Sequence, residues 1–600
     1  MRILGISCFY HDSAAALLVD GQLIAAAEEE RFSRVKHDFG FPLLAIQFCL
    51  DRAGITLQDL DYVVFYEKPF VKFERILKTA LQVVPRSFRV FGEAMTTWFL
   101  DKLWVKNLIR DQLGVPLDKI LFSVHHMSHA ASTFYCSPFD EAAILTIDGV
   151  GEWSTATMGH GKDNKISLLQ EVRFPHSVGL LYSAFTAFLG FEVNEGEYKV
   201  MGMAPYGEPK YVDKVWKLLR LHKDGSFWLD MSYFSYHHST TQTFNSKFVE
   251  LFGEPRDPSW HFFTPTSGYP SYYGERPANF DEMATRNQFY ADVAASIQKV
   301  TEEIVLQMAR ALHERTGLKK LCMAGGVALN SVANGRIMRE TPFEEVFVQP
   351  AAGDGGGALG AALYVQHEVL GKPRSFVMKH AYWGAEYGEG PVNDFLRSQG
   401  IKYEVVAHQD ELLSRVAERI KNGNVIGWYQ NRFEWGPRAL GARSIIADPG
   451  RADMKEIVNT KIKFREPFRP FAPSVLADQA ERYFDLPDAV RHYPARFMLY
   501  VVKVKPGQDK FVPAITHVDG TARLQTVHQA ESPLYYDLIR KVGEATGTPV
   551  IMNTSFNLKG EPIVTTPANA YSTFMRSGMD ALVLGNCIVA KEDVVGGSRS

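Results

Sequence analysis

Residues 2–27, RILGISCFYHDSAAALLVDGQLIAAA, decide the fold at the start of the chain. Two apolar runs, Ile3 to Phe9 and Ala14 to Val19, flank the polar loop His11-Asp12-Ser13, and a third run follows Asp20-Gly21. Asp-Gly between apolar runs predicts a tight hairpin, because both central residues of such a turn take positive φ. The stretch therefore predicts three successive strands, the last two joined by a two-residue turn.

The same layout recurs from Ala143, where the apolar run AILTI enters the turn Asp148-Gly149-Val150-Gly151 and a further strand is expected at Thr155 to Met158. Two related units in one chain predict a duplicated half. A long helix should follow, because apolar residues from Val293 to Leu312 recur at spacings of three and four.

Two glycine-rich loops follow predicted strands in this half. Leu321 to Ala324 enters Gly325-Gly326, and Val346 to Gln349 enters AAGDGGGALGAAL, in which Gly353 to Gly357, including Gly355, are expected to form the second loop. Strand, glycine loop and helix together can bring backbone N–H groups up to phosphate oxygens. The alternative is that the glycines serve close helix–strand packing.

Composition excludes several classes of protein. Hydrophobic residues make up 46% and charged residues 22% of the 600 residues, as in folded globular chains. A net charge of −3 disfavours a protein that coats nucleic acid, and no apolar run reaches the roughly 20 residues of a membrane span. Five scattered cysteines and an amino terminus without a signal-peptide pattern predict a cytoplasmic location.

His125 and His129 have the H-x-x-x-H spacing, which places both imidazoles on one face if the segment is helical. Asp148 and Asp354 each follow a predicted strand, where side chains point into the crevice of an open α/β sheet. Two imidazoles and two carboxylates suit iron, manganese or zinc, and the residue types do not choose among them. The alternative is a pair of buried, hydrogen-bonded histidines.

A junction is expected over residues 371–390, and a second domain over 391–600. From Arg432 to Arg469 this domain has nine positive and five negative residues, interleaved with Gly, Pro and aromatic residues. Such arginines suggest bidentate anchors for phosphate or another oxyanion, and a solvated face is the alternative. The aromatic-rich stretch 216–273 is expected mainly to pack, with an acceptor pocket as its other possible use.

The ordered motifs of the chain resemble those of the NodU/CmcH/TobZ-type O-carbamoyltransferases over nearly its whole length. The early segment with KHD, FP and FYEKP also resembles the branch that contains the saxitoxin-pathway enzyme. The family motifs are GISCFYHDSAAALL, HHMSHAAS, LTIDGVGEWST, EGEYKVMGMAPYG, MAGGVALN, QPAAGDGGGALG, WGPRALGARSI, IKFREPFRPFAPS, DGTARLQTV and VIMNTSFNLKGEPIV.

The resemblance implies an α/β first domain over residues 1–370, duplicated and of the actin/Hsp70 type, similar to TsaD. It implies an α+β second domain similar to YrdC/TsaC, which joins carbamoyl phosphate and ATP to give carbamoyl-adenylate. The first domain would then transfer the carbamoyl group to a hydroxyl of a natural product at a site with iron, Fe²⁺. Mg²⁺ is expected with ATP, no nucleic acid or membrane partner is expected, and a homodimer stays open.

The resemblance also implies roles for single residues. His11 and Asp12 are expected beside the reacting group, with His11 as general base because its reference pKa of about 6.5 suits proton removal. Arg438, Lys463 and Arg469 are expected to act in catalysis as well as binding. The expected metal ligands are His125, His129, Asp148 and Asp354, the expected nucleotide contacts are Gly325, Gly326, Asn330 and Gly355, and the expected activation pocket is Arg438, Lys463, Arg469, Arg523, Asn553 and Ser555.

Three other functions share parts of this pattern. A small-molecule kinase of the actin-like superfamily would use the hairpins and glycine loops but not the histidine pair or the arginine-rich second half. A tRNA threonylcarbamoyl-type modification enzyme would need a basic RNA-facing surface, which the composition disfavours. A non-enzymatic ATP switch would bind nucleotide without forming a carbamoyl product.

Overall fold

The computed structural model describes residues 1–87, 91–92 and 102–595. The chain forms two compact units, and it passes finally from the first to the second between Met378 and Lys379. None of the described helices is both long and apolar enough to cross a bilayer. The division of labour between residues 1–370 and 391–600, with 371–390 as linker, stays a prediction. The first unit contains Met1–Glu29, His37–Trp260 and Glu282–Met378, and the second contains Glu30–Lys36, His261–Asp281 and Lys379–Ser600.

The first sheet of the first unit begins with the hairpin predicted from the opening sequence. Asp20 and Gly21 have φ of 51° and 80°, as a two-residue hairpin turn requires. The strand order is β3-β2-β1-β4-β5, in which β1, β2 and β3 are antiparallel and β4 and β5 run parallel to β1. The strands are β1 (Arg2–Ser7), β2 (Ala14–Val19), β3 (Gln22–Glu28), β4 (Tyr62–Phe65) and β5 (Ile120–Phe122).

The second sheet repeats the first. Its order is β8-β7-β6-β11-β12, with the same antiparallel and parallel pairings, so the predicted duplication and the actin/Hsp70-like α/β class are confirmed. The loop that contains Asp148 is therefore equivalent to the loop that contains His11 and Asp12. The strands are β6 (Glu141–Ile147), β7 (Ser154–Lys162), β8 (Lys165–Arg173), β9 (Leu219–Leu221), β10 (Phe227–Leu229), β11 (Lys320–Ala324) and β12 (Glu345–Val348), of which β9 and β10 form a separate hairpin.

A glycine-rich helix, Asp354–Tyr364, packs on β1 and β2 of the first sheet and against the helix His125–Phe134. The sequence predicts a loop over residues 353–357, but the helix already begins at Asp354. A Cβ on Gly5 would lie 1.8 Å from the carbonyl oxygen of Ala358, and a Cβ on Gly360 would lie 1.8 Å from that of Ser128. Glycine at these positions therefore allows close backbone packing, the alternative that the sequence left open.

Helices cover both sheets of the first unit. The longest contains the predicted apolar face from Val293 to Leu312, whose members are buried. The helices are Leu43–Ala53, Pro69–Gln82, Val105–Leu113, His125–Phe134, Val178–Phe188, Glu197–Met203, Val212–Trp216, Ser246–Phe252, Phe280–Thr316, Ser331–Glu340 and Asp354–Tyr364.

The aromatic-rich stretch mainly packs. Phe248 lies with its ring centroid 5.1 Å from Phe185, 4.7 Å from Phe252 and 5.0 Å from Phe244, and all but Phe244 are buried. Beyond Trp260 the stretch belongs to the second unit, where Phe262 packs edge to face on Phe468 at 5.1 Å. Aromatic burial therefore accounts for most of this composition.

The second unit is built on a nine-stranded mixed sheet of order β13-β21-β20-β14-β15-β19-β16-β18-β17. A mixed sheet with helices packed on it belongs to the α+β class, as expected for the second domain. The strands are β13 (Glu404–Val405), β14 (Ile426–Tyr429), β15 (Arg443–Ala447), β16 (Ala472–Leu476), β17 (Tyr500–Lys503), β18 (Thr521–Val527), β19 (Val550–Ser555), β20 (Ala581–Leu584) and β21 (Cys587–Ala590).

Two amphipathic helices close one face of this sheet. Val416 and Ile420 of the helix Gln409–Lys421 pack with Leu538 of the helix Pro533–Thr546 and with Trp428 of β14. This apolar layer fixes the strand ends from which the polar residues of the unit project. The other helices of the unit are Glu30–Ser33, Glu389–Ser398, Met454–Val458, Ala480–Tyr483, Tyr493–Arg496, Pro567–Met575 and Lys591–Val595.

Candidate functional site

His125 and His129 lie one turn apart on the helix His125–Phe134, as their spacing predicts. Each residue is only 1% exposed. The two Nε2 atoms face each other at 3.1 Å. The intervening His126 points elsewhere, and its Nδ1 lies 2.7 Å from Oγ1 of Thr146. The first two imidazoles therefore converge on one point, and the third belongs to the surrounding core.

Two carboxylates reach the same point. Oδ2 of Asp148, at the end of β6, lies 3.1 Å from Nε2 of His125 and 3.6 Å from Nε2 of His129. Oδ1 of Asp354, at the start of its helix, lies 3.6 Å from both nitrogens. One ligand atom from each of the four residues falls within 4.8 Å of every other, so the structure brings together all four predicted metal ligands.

The arrangement fits a metal ion. All four residues are buried, and Oδ1 of Asp354 accepts no hydrogen bond from the described residues. Buried charged oxygens are normally hydrogen-bonded or coordinated. Two imidazole nitrogens and two carboxylate oxygens form a ligand set for Fe²⁺, Mn²⁺ or Zn²⁺.

Outer contacts hold these ligands in place. Oδ1 of Asp148 accepts the backbone N–H of Gly326 at 2.8 Å, and the Tyr66 hydroxyl donates to Oδ2 of Asp354 at 3.4 Å. The backbone N–H of His125 donates to Glu152 at 3.0 Å, and Nδ1 of His125 lies 3.7 Å from Glu67. Such second contacts orient metal ligands and tune their basicity.

The histidines and carboxylates of the cluster shift one another's pKa. Burial alone would lower the pKa of His125, but the carboxylates of Asp354, Asp148 and Glu67 raise it well above its usual value. Burial would raise the pKa of Asp148, whereas hydrogen bonds from His125 and His129 hold it well below its usual value. A metal ion at this point would therefore compete with protons for the imidazoles.

His11 and Asp12 lie in the loop between β1 and β2. Nδ1 of His11 is 3.0 Å from Oδ2 of Asp12, and Oδ1 of Asp12 is 2.7 Å from Nδ1 of His37. Burial lowers the pKa of His11, but the carboxylates of Asp354 and Asp12 raise it to about 9. The sequence missed His37, because nothing in its neighbourhood marks it as a partner of Asp12.

Two of the four expected nucleotide contacts, Gly326 and Asn330, form hydrogen bonds within the first unit. The N–H of Gly326 is used by Asp148, and Gly325 precedes it with a φ of 93°. Asn330 caps the helix Ser331–Glu340 by accepting the N–H of Ala333 at 3.1 Å. Gly355 lies in the first turn of the helix that begins at Asp354. Their contact with a nucleotide stays a prediction.

In the second unit, a buried carboxylate shapes the loop that contains Arg438. Oε1 of Glu434 accepts the backbone N–H groups of Leu440, Ala442 and Arg443 at 2.7, 2.8 and 3.2 Å. The Arg443 guanidinium donates to the carbonyls of residues 430, 431 and 442, so this arginine holds the loop. No role for Glu434 was predicted from the sequence. Its position between Arg432 and Arg438 is the one signal in the sequence that could have indicated this role.

Lys463 is 4% exposed, and its side chain contacts the end of β19. Its Nζ donates to the carbonyl of Ser555, and to the carbonyl and Oδ1 of Asn557, both at 2.9 Å. The hydroxyl of Ser555 donates to the same Oδ1 at 2.7 Å. The structure therefore joins the predicted Lys463 and Ser555 through Asn557, which sequence reasoning missed.

Arg465 and Arg469 act electrostatically on both Lys463 and Arg523. Burial and the charges of Arg438, Arg465 and Arg469 lower the pKa of Arg523 well below its usual value. Burial, Arg465 and Arg469 do the same to the pKa of Lys463. Arg465 was counted in the charged stretch but not expected in the pocket. We call these five residues, Arg438, Lys463, Arg465, Arg469 and Arg523, the cationic cluster.

Asn553 borders this cluster through a buried polar network. Its Nδ2 donates to the carbonyl of Ala439 at 3.2 Å, to Oγ of Ser474 at 3.1 Å and to Oε1 of Gln525 at 3.0 Å. Asn553 thus ties the Arg438 loop to β16 and β18. The side-chain N–H groups of Asn553 are therefore already hydrogen-bonded within the unit.

Solved structures with a partial likeness include component A of the (R)-2-hydroxyglutaryl-CoA dehydratase of Acidaminococcus fermentans. It is 14% identical, with a TM-score of 0.30, over 61% of this chain and 97% of that one. HypF of T. kodakarensis is 14% identical, with a TM-score of 0.28, over 61% of this chain and 48% of its own.

Curated relatives match the chain over most of its length. An uncharacterized protein of Synechocystis sp. is 47% identical over 98% of this chain and 97% of its own. Nodulation protein NolNO of Sinorhizobium fredii is 38% identical over 97% of this chain and 79% of its own. Nodulation protein U of Sinorhizobium fredii is 28% identical over 93% of this chain and 94% of its own.

Two family models divide the chain between them. The carbamoyltransferase N-terminus matches residues 2–363, which contain the four metal-ligand candidates. The carbamoyltransferase C-terminus matches residues 417–591, which contain the cationic cluster. Together with the NolNO and nodulation protein U relatives, these matches show that the chain belongs to the NodU/CmcH/TobZ-type family and is a carbamoyltransferase.

Proposed function

We propose that this carbamoyltransferase uses ATP and carbamoyl phosphate in two half-reactions, one in each unit. The observation that carries the proposal is the cationic cluster of the second unit, where burial and neighbouring arginines lower the pKa of Lys463 and of Arg523. Glu466 lies 3.6 Å from Arg469, and a bound polyanion would offset the remaining repulsion between the cations. Carbamoyl phosphate and the triphosphate of ATP are such polyanions.

The first half-reaction forms carbamoyl-adenylate in the second unit. Water releases phosphate from carbamoyl phosphate, the resulting carbamate oxygen attacks the α-phosphorus of ATP, and pyrophosphate leaves. One carbamoyl phosphate, one ATP and one water thus give carbamoyl-adenylate, pyrophosphate and phosphate. Arg438, Lys463, Arg469 and Arg523 bind the phosphate oxygens and stabilise the charge that develops on them, and Mg²⁺ accompanies the nucleotide.

The second half-reaction transfers the carbamoyl group in the first unit. The acceptor hydroxyl attacks the carbamoyl carbon, the bond to the phosphate oxygen breaks, and AMP leaves. Asp12 holds Nδ1 of His11, which lets Nε2 take the hydroxyl proton. Fe²⁺ held by His125, His129, Asp148 and Asp354 would polarise the attacked carbonyl and offset the carboxylate charge that raises the His11 pKa.

The acceptor is a hydroxyl of a small natural product, and the reaction takes place in the cytoplasm. Relatives named as nodulation proteins support a specialised biosynthetic role. All five cysteines are free and buried, as a reducing compartment favours.

Pyrophosphate release from ATP tests the proposal. Wild-type protein should release pyrophosphate only when carbamoyl phosphate is present, and Arg469→Ala should lower this rate at least about 100-fold because it removes a charge-assisted contact to phosphate. Arg451→Ala is the matched control, since Arg451 is exposed and pairs with Asp453. ADP release instead of pyrophosphate, or carbamoyl-independent release, would contradict the proposal and favour a kinase.

A further inference from the structure

The guanidinium of Arg75 is buried in the first unit. It lies on the helix Pro69–Gln82 of the first unit and is 7% exposed. Within residues 1–87, 91–92 and 102–595 its guanidinium donates no hydrogen bond and forms no ion pair, and its Nη1 is fully buried. Its guanidinium lies over the ring of Phe174, whose centroid is 4.9 Å away.

The carboxylates nearest to Arg75 are already engaged. Both oxygens of Glu67 accept hydrogen bonds from Nζ of Lys72, at 2.7 and 3.0 Å. Glu152 accepts the backbone N–H groups of Lys68 and His125, at 2.8 and 3.0 Å. Burial lowers the pKa of Arg75 to about 10, although Glu67, Glu152 and Tyr10 act in the opposite direction. Neither acid neutralises the guanidinium by direct contact.

A contact with one aromatic ring does not replace five N–H hydrogen bonds. Burying an unpaired cation costs more than a cation–π contact recovers. Arginine at this position is therefore unfavourable for folding alone. A buried donor group without a partner is a feature of ligand sites, because the ligand supplies the missing acceptor.

The position of Arg75 indicates where such a ligand would lie. The two acids beside it, Glu67 and Glu152, both contact His125 of the candidate metal centre. Lys72, one turn before Arg75, holds its Nζ 5.0 Å from the centroid of Tyr10, and the Tyr10 residue is 39% exposed. Tyr10 precedes His11, so this face of the helix borders the loop of the expected general base.

We propose that Arg75 anchors an oxyanion subsite beside the transfer site. Its guanidinium binds a phosphate or carboxylate group of a ligand whose reacting part lies near His11. The inference rests on the proposed function for the identity of that ligand. The oxyanion could come from the phosphate of carbamoyl-adenylate or from an acidic group on the acceptor.

Titration with inorganic phosphate tests the subsite directly. Arg75→Met should bind one phosphate fewer per chain than the wild type, or bind it about tenfold more weakly, and Arg75→Lys should restore part of the affinity. The difference between wild type and variant isolates this subsite from anion binding in the second unit. Lys78→Met on the same helix is the control, because Lys78 is exposed and pairs with Glu74. Equal phosphate binding by wild type and Arg75→Met would overturn the proposal.

Thermal unfolding separates a ligand role from a structural one. In phosphate-free buffer Arg75→Met should match or exceed the wild-type Tm, because it removes an unpaired buried charge. A large loss of Tm together with unchanged phosphate binding would show that Arg75 serves packing, which would overturn the subsite.

Two probes distinguish the sources of the oxyanion. If AMP binding weakens about tenfold in Arg75→Met, the subsite holds the donor phosphate; if glucuronate binding weakens instead, it holds an acceptor carboxylate. Unchanged binding of phosphate, AMP and glucuronate would overturn the proposal. Pyrophosphate release is a separate readout that should be the same in Arg75→Met and wild type, so failure of the subsite and failure of the proposed function are distinguishable.

Discussion

Nε2 of His125 and Nε2 of His129 face each other at 3.1 Å, and each lies 3.6 Å from Oδ1 of Asp354. Two protonated rings repel at this distance, and two neutral rings can point lone pairs at one position. A cation at that position would satisfy both rings and the carboxylate. The relationship therefore favours a metal centre over a pair of core histidines.

Substitution of His129 tests the metal centre. His129→Ala should lose most of the bound iron, manganese or zinc, because it removes one of four ligands, and removal of an outer partner alone costs about 10–100-fold in affinity. Elemental analysis of purified protein measures the loss. His160→Ala is the control, since His160 is partly exposed and pairs with Glu141. Equal metal content in wild type and His129→Ala would rule out this centre.

Phosphate binding to the cationic cluster should take up protons. Burial and two arginines lower the pKa of Lys463, and an anion offsets that repulsion and raises the pKa again. The affinity for phosphate should therefore fall as the pH rises through the lowered pKa. Calorimetry in buffers of different ionisation enthalpy counts the protons.

Two variants test whether Lys463 is the group that takes up the proton when phosphate binds. Lys463→Met should take up fewer protons than wild type, whereas Lys461→Met, which changes an exposed lysine two residues away, should not differ. Identical proton uptake in wild type and Lys463→Met would assign the effect to another group.

Glu434 should support both stability and activation. Glu434→Gln weakens three hydrogen bonds from backbone N–H groups to a buried carboxylate, so we expect a loss of about 1–3 kcal/mol in the free energy of unfolding. Pyrophosphate release should also fall, since the same loop holds Arg438. Urea denaturation compares the variant with Glu418→Gln, an exposed control. Unchanged stability would mean that the carboxylate does not hold the loop.

Gly360 should tolerate no side chain. The Cβ of alanine would meet the carbonyl oxygen of Ser128 at 1.8 Å, so Gly360→Ala should lower the free energy of unfolding by about 1–3 kcal/mol. Gly390→Ala lies in an open helical position and should instead gain about 0.5–1 kcal/mol. A stable Gly360→Ala protein would show that the two helices can separate without cost.

Local patterns in the sequence predict much of the first unit. The Asp20-Gly21 turn, the recurrence from Ala143 and the H-x-x-x-H spacing depend on neighbouring residues, and the structure has each of them. Asp148 and Asp354 could also be predicted, because a carboxylate at the end of a strand or the start of the next helix lies at the sheet edge.

Partners from distant segments could not be predicted. Arg75 looks like an ordinary charge of an amphipathic helix, and only the fold shows that its buried Nη1 donates no hydrogen bond to any of the described residues. Asn557 contacts Lys463 across 94 residues of sequence. The glycines after Gly353 suggest a loop, whereas in the structure Gly355, Gly356, Gly357 and Gly360 belong to the helix Asp354–Tyr364, and Gly360 packs closely on the backbone of Ser128.

Pyrophosphate release by His129→Ala tests the central claim, that the two units perform separate half-reactions, most directly. The variant should release pyrophosphate from ATP and carbamoyl phosphate at the wild-type rate while it fails to carbamoylate any hydroxyl acceptor. If loss of this one imidazole abolishes pyrophosphate release as completely as Arg469→Ala does, activation and transfer are not divided between the two units.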